Sequence, residues 1–166
     1  MAGKVIGKFM NYGWAGKVTK DADCIIDSKI VSSSSAAIKF GAPVFLNTDN
    51  TVRNMGVSDT TLAGFMGVAV SGVRQSINYA TQEADYQPST QCDVLTRGSV
   101  MVALPSSYST TVVAGGAVYL DVDNATYGFT PDAGTNNVAV TNAKFATGLV
   151  DANKMAEIVL LTKYTV

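Results

Sequence analysis

The sequence predicts an all-β fold: a single compact barrel- or sandwich-like domain with two similar β halves and an extended N-terminal arm. Three observations carry this. No long stretch holds apolar residues at i, i+3, i+4 and i+7, so helical periodicity is lacking. Short β-branched and aromatic runs recur instead, bounded by Gly, Asn, Asp and Pro. The order of those runs also repeats along the chain. At 166 residues, a chain of this kind suits one ordinary domain and needs no disulfide or metal to complete its core. The division expected is residues 1–35 as arm or extended segment and 36–166 as the β domain.

The first 35 residues mix Gly13, Gly16, lysines, aspartates and a serine run at 32–35 with the single tryptophan, Trp14. Ordering such a segment costs about 1–2 kcal/mol per residue, which contacts must offset. Phe9, Tyr12 and Trp14 are natural anchors, because aromatic side chains are enriched at binding hot spots. They serve equally well to fold the segment back onto its own domain. Lys4, Lys8, Lys17 and Lys20 precede the first acid, so the first twenty residues carry +4 and the rest, with 8 bases against 13 acids, carries −5. That asymmetry fits either a solvated terminus or a basic arm lying on an acidic neighbour.

The clearest strand runs are 42–46, 65–71, 92–104, 117–122, 145–150 and 156–166, with turn-rich stretches at 47–50 and 132–137. Six short strands with such spacing argue for a barrel or sandwich. Phe40-Gly41-Ala42-Pro43-Val44-Phe45-Leu46 resembles Gly115-Gly116-Ala117-Val118-Tyr119-Leu120, a glycine entering an apolar strand. Each is followed by a Phe-led strand containing glycine, starting at Phe65 and Phe145, and each half closes on a long strand, 93–102 and 157–166. Half-units of this size bury too little surface to fold alone, so the repeat implies one shared core. In the first closing strand Val94, Thr96, Gly98, Val100 and Val102 fall on one face, and Leu95, Arg97, Ser99 and Met101 on the other. Gly98 marks a bulge or bend. Arg97 is expected as an edge charge that blocks unwanted pairing, or as a bridge to a neighbouring subunit.

The chain has no histidine, which removes His-based triads, Cys–His dyads and most transition-metal sites. It has no phosphate-binding GxxxxGK[ST] and no GxGxxG after a strand. Asp121-Val122-Asp123-Asn124 with Gly128 departs from a calcium loop, since its glycine is misplaced and the terminal Glu is missing. The paired carboxylates Asp21/Asp23 and Glu83/Asp85 lie in loop-like polar stretches with nothing to face them across a cleft. No enzyme activity and no cofactor are expected. Net charge is −1 and basic residues do not interleave with aromatics, so no nucleic-acid partner is expected. No apolar run is long enough for a membrane helix, and lysines interrupt any N-terminal signal-like run, so synthesis in the cytosol with no membrane partner is expected. Cys24 and Cys92 have no metal-ligand spacing and serve as small apolar residues or as a disulfide.

The motifs taken in order resemble the structural cement proteins that decorate tailed-phage capsids. The match runs through Tyr12-Gly13-Trp14-Ala15-Gly16, then Ile38-Lys39-Phe40-Gly41-Ala42-Pro43-Val44, then Phe65-Met66-Gly67-Val68-Ala69-Val70. It continues through Cys92-Asp93-Val94-Leu95-Thr96-Arg97-Gly98-Ser99-Val100-Met101-Val102 and Ala114-Gly115-Gly116-Ala117-Val118-Tyr119-Leu120, and ends at 156–161. Departures are Ser71-Gly72-Val73-Arg74, where Arg usually follows the strand directly, and the tail 162–166. The resemblance implies a non-enzymatic, all-β virion protein, a homotrimer seated on the capsid exterior. It would bind the major capsid protein and hold its subunits together. Lys4, Lys8, Phe9, Tyr12, Trp14, Lys17 and Arg97 are the capsid-contact residues expected. A phage tail, fibre or receptor-binding component is the alternative, and fibre repeats or a collagen-like segment would favour it. A carbohydrate-binding module would cluster its aromatics on one face, whereas here they are scattered.

Overall fold

The structure is a computed structural model that describes residues 13–56, 58–71, 85–122 and 128–162. Among the described residues eleven strands follow one another: β1 (Val18–Ile30), β2 (Ile38–Lys39), β3 (Pro43–Leu46), β4 (Val52–Asn54), β5 (Phe65–Ala69), β6 (Asp85–Tyr86), β7 (Gln91–Ala103), β8 (Ala117–Leu120), β9 (Phe129–Thr130), β10 (Val138–Val150) and β11 (Met155–Leu160). Among the described residues there is no helix. Nine strands form one antiparallel sheet ordered β4-β3-β5-β7-β11-β10-β8-β9, with β1 paired onto β7; β2 and β6 form a separate pair. The end of β1 also bridges to β4, through Val31 and Val52, and the Ser32 amide donates to the Val52 carbonyl at 2.7 Å. The first half of the sheet thereby curls until its two edges meet.

The sheet order reads the same from either end. β4-β3-β5-β7 and β9-β8-β10-β11 are two copies of one pattern, joined where β7 pairs with β11. The backbone bonds repeat in detail. The Gly41 amide donates to the Ala69 carbonyl (2.8 Å) and the Ala69 amide to the Ala42 carbonyl (3.0 Å). In the second half Gly115 donates to Phe145 (2.8 Å) and Phe145 to Gly116 (3.1 Å). The equivalent of Phe145 is therefore Ala69, and the two Phe-led strands are offset by four positions from the match the sequence suggests. Strand order repeats, whereas the phenylalanines do not occupy the same place.

Two apolar clusters lie on opposite faces of the first half. The larger gathers Phe45, Phe65, Leu95, Val100, Phe129, Phe145 and Ile158 between the two halves. The smaller gathers Val31, Ile38, Val44, Val52, Tyr86, Cys92 and Val94 under the curled edge, where β2 and β6 cover it. Burying a Phe, Ile or Leu fully stabilises by about 1.5–3 kcal/mol each, so these side chains supply the main driving force. Tyr86 is buried with its hydroxyl donating to the Val70 carbonyl at 2.6 Å, which removes the cost of a lone buried polar group.

β7 departs from the simple alternation expected of it. Val94 faces the smaller cluster and Leu95 the larger, yet Val100 and Val102 also face the larger. The parity changes between them, where Gly98 has φ +121°. Opposite this point β1 carries extra residues, its register jumping from Lys20–Ser99 to Ile25–Arg97. A Cβ on Gly98 would stand 3.1 Å from both Cα and Cβ of Cys24. The bulge expected at Gly98 is present, and it splits the strand's faces into two registers. The stretch 18–30, expected within an extended segment, is extended as a 13-residue strand on β7. β10 begins at Val138, earlier than expected, and β11 ends at Leu160, with 163–166 outside the described residues.

Glycine 67 permits the closest approach between β5 and β7: a Cβ there would collide with the Leu95 carbonyl oxygen. Gly67→Ala is expected to cost about 2–3 kcal/mol by overpacking. Gly56→Ala, whose added Cβ meets nothing closer than 3.7 Å, should change stability by less than about 0.5 kcal/mol. Chemical denaturation of the two variants checks this, and equal midpoints would show that the strands can move apart freely.

Candidate interaction surface

Residues 14–17 form a tight turn in which the Lys17 amide donates to the Trp14 carbonyl at 3.2 Å. Gly16 occupies its third position with φ +80°, the conformation a type II turn requires there. The turn is fastened on two sides. The Gly16 amide donates to the Met101 carbonyl (2.8 Å), its carbonyl accepts from Ser71 (2.8 Å), and the Lys17 carbonyl accepts from Met101 (2.9 Å). Gly16 is buried, and a Cβ there would meet Phe40 Cβ and the Ser71 amide nitrogen at 2.9 Å. On this fixed base Trp14 is 58% exposed, with the Lys17 ammonium 5.3 Å from its ring centroid. A cation–π contact at an exposed site contributes about 0.5–1 kcal/mol, enough to bias the two side chains together. An indole and a cation thus stand on a backbone whose entropy is already lost, which suits recognition.

Arg97 lies elsewhere on the surface, where its guanidinium donates to Asp23 on β1 at 3.0 Å. Both side chains are largely exposed, and such a pair is worth about 0–1 kcal/mol. The structure therefore brings Trp14 and Lys17 together and gives Arg97 a partner inside the chain. Lys4, Lys8, Phe9 and Tyr12 lie outside the described residues. Sequence reading passed over a second set of exposed apolar side chains: Ile25, Ile26 and Ile30 on β1, and Val113 and Leu149 in the second half. β1 alternates no apolar face against a wet one, because both of its faces meet water along much of its length.

Three aspartates hold loops. Asp59 accepts from Arg53 at 2.6 and 2.7 Å and from the Gly56 amide at 2.7 Å. Asp132 accepts from the Ser109 and Thr110 amides at 2.8 and 2.6 Å. Asp49 accepts from the Thr51 amide and hydroxyl at 3.0 and 2.6 Å. Burial pushes the Asp59 carboxyl up, but Arg53 and Gly56 together outweigh it and hold it below the usual range. Burial likewise pushes the Asp132 carboxyl up, but the Thr110 and Ser109 bonds outweigh it and hold it below the usual range. At Asp49 the Thr51 hydroxyl bond and then its amide bond pull in the same direction. Burial, and then the charge of Asp93, pushes the Cys92 thiol up, so it stays protonated and inert. Cys92 and Cys24 are both free thiols. Asp85 of the sequence's second carboxylate pair accepts from Gln87 at 2.6 Å, and its companion Glu83 lies outside the described residues, as do Asp123 and Asn124.

The model of a family described as structural cement protein (E217 gp24/Pam3 gp6) matches residues 3–161. Among solved structures, a chain of "The capsid of Myoviridae Phage XM1" has a similar fold, with a TM-score of 0.75 and 16% sequence identity. The similarity covers 99% of this chain and 100% of that chain. No curated protein matches the sequence.

The three loop-holding aspartates all have depressed values when folded, so each contributes stability above the ordinary aspartate value of about 3.9 and loses it as pH falls through and below that value. With no histidine in the chain, no side chain ordinarily titrates between pH 5 and 8. Thermal melts should therefore give a flat midpoint from pH 5 to 8 and a falling one below about pH 4. A midpoint that already drops between pH 7 and 5 would contradict these clasps.

Proposed function

This chain belongs to the structural cement protein family, and we propose that it binds the outer surface of a phage head and stabilises contacts between major capsid protein subunits. The observation that carries this reading is the Trp14–Lys17 turn, an exposed indole beside a half-buried lysine, fixed by backbone bonds just before the chain enters the sheet. β1, which falls within the segment 1–35 expected as the arm, pairs with β7 and so is part of the sheet.

Attachment by many modest contacts suits such a surface. A contact of millimolar strength supplies about −4 kcal/mol. Linking several in one oligomer raises the overall affinity by about 10²–10⁴ through effective concentration. A homotrimer, with three arms and three bodies, meets this requirement without a deep pocket. The four lysines before Asp21 would steer the arm to an acidic shell surface, an attraction that salt weakens over about 8–10 Å.

Mixing the purified protein with undecorated heads and quantifying occupancy by electron microscopy tests the reading. The double substitution Trp14→Ala, Lys17→Ala should reduce affinity at least tenfold, since an aromatic hot spot is worth about 2 kcal/mol or more. Its melting temperature should stay within about 2 °C of the parent, because Trp14 is exposed and Lys17 is only half-buried at the surface. Raising salt from 50 to 500 mM should weaken the parent further. Undiminished decoration by the double variant would remove the turn from the contact, and absence of any decoration by the parent would sink the capsid role.

A further inference from the structure

The two halves of the sheet differ at one equivalent place. Residues 39–42 and 113–116 are matching turns. The Ala42 amide donates to Lys39 at 3.1 Å and the Gly116 amide to Val113 at 2.9 Å. Their third residues, Gly41 and Gly115, have φ +76° and +74°. The first turn is covered: a Cβ on Gly41 would meet Ala15 Cβ at 2.9 Å and the Gly16 amide nitrogen at 3.0 Å. Among the described residues nothing comes within 4 Å of a Cβ on Gly115. Val113 in that turn and Leu149 are each 56% exposed.

The segment that covers the first turn is Ala15-Gly16-Lys17-Val18, and the same tetrapeptide recurs at Ala2-Gly3-Lys4-Val5, outside the described residues. We propose that Ala2-Gly3-Lys4-Val5 docks on the Gly115 turn of its own chain, seated as Ala15-Gly16-Lys17-Val18 is seated on the Gly41 turn. The repeat supplies what such a seat needs. In the first half Ala69 pairs with Val94, and Gly16 is held by Ser71, two residues past Ala69, and by Met101, seven past Val94. In the second half Phe145 takes the place of Ala69 and pairs with Ile158. Two residues past Phe145 is Thr147, whose amide would donate to the Gly3 carbonyl as Ser71 donates to Gly16. Seven past Ile158 is Thr165, so the continuation of β11 is long enough to hold the other side. A Cβ at Gly16 would meet Phe40 Cβ and the Ser71 nitrogen at 2.9 Å, so the seat calls for glycine, and Gly3 keeps one there.

The segment of the same chain is within reach of this seat. Gly16 bonds to Met101, Met101 pairs with Glu157, the adjacent Ile158 pairs with Phe145, and Phe145 bonds to Gly115. Four strand spacings and one residue step make about 22 Å along the sheet, and curling shortens the straight line. The ten peptide units from Gly3 to Gly13 reach about 33–36 Å when extended. A segment tethered in this way has an effective concentration of about 1 mM. In micromolar protein it therefore outcompetes the same segment of a second copy by about a thousandfold.

Photo-crosslinking in the full-length protein, without capsids, tests this separately from the capsid role. A benzophenone amino acid in place of exposed Val113 should join residue 113 to the peptide holding residues 2–5. The product should have monomer mass, and its yield should not change on about tenfold dilution. The same probe in place of Lys39, the equivalent position in the first half, should capture 14–18. Gly3→Val should reduce the Val113 product at least tenfold and leave the Lys39 product unchanged, which separates loss of docking from loss of fold. The proposal is overturned by absence of the Val113 product, by a product of dimer mass, by capture of another segment, or by a product that Gly3→Val leaves unchanged.

Discussion

One strand, β7, has to serve both halves of the sheet at once, and most of the architecture follows from that demand. It pairs with β5 at Val94 and Leu95, with β11 from Gly98 to Ala103, and with β1 along nearly its whole length. A strand with partners so placed cannot keep one alternation of faces, because its first part separates two clusters while its second part lines one. Gly98 resolves the conflict. Its positive φ and missing side chain let β7 change register while β1 passes Cys24 close against it. Gly67 solves the companion problem on β5, where the Leu95 carbonyl occupies the place of a side chain. Two glycines thus hold a position that the hydrophobic pattern alone would leave frustrated.

Much of the fold can be read from sequence because the buried strands are strongly patterned. β3, β5, β7, β8 and β11 each lie within or beside an expected run, since apolar, β-branched residues bounded by turn formers have few alternatives. β1 escapes that reading for a physical reason. Lys20, Asp21, Asp23, Asp27 and Lys29 alternate with isoleucines that stay exposed, and its place is set by backbone pairing to β7, which leaves no apolar signature. The face assignment in β7 fails beyond Gly98 because period-two counting assumes an unbroken ladder. The repeat is visible as an order of strands, but the offset between Phe65 and Phe145 depends on hydrogen-bond register, which composition does not encode.

The surface divides labour in a way the sequence shows only in part. Trp14 and Lys17 stand out as an aromatic beside a cation, and the structure adds that they share one turn. What makes the turn useful is invisible without coordinates: Gly16, itself featureless, is the residue gripped by Met101 and Ser71. Arg97 shows the reverse. It is conspicuous as the lone cation in an apolar strand, yet its guanidinium is engaged by Asp23, so its first role is to fasten the β1 bulge to β7. A residue's prominence in sequence and its freedom to meet a partner are separate properties.

The asymmetry between the halves also bears on stability. In the first half the curled edge is closed by the Val31–Val52 bridge, the Lys29 ammonium reaches Asn50 at 2.6 Å, and the 14–17 turn covers Gly41. Among the described residues no turn covers Gly115 in the second half, and Val113 and Leu149 there are exposed. A duplicated pattern would otherwise give both halves equal reason to be sealed. Val113 and Leu149 thus stay outside the shared core that β7 and β11 hold closed, so the difference between the halves lies at the surface and leaves that core intact.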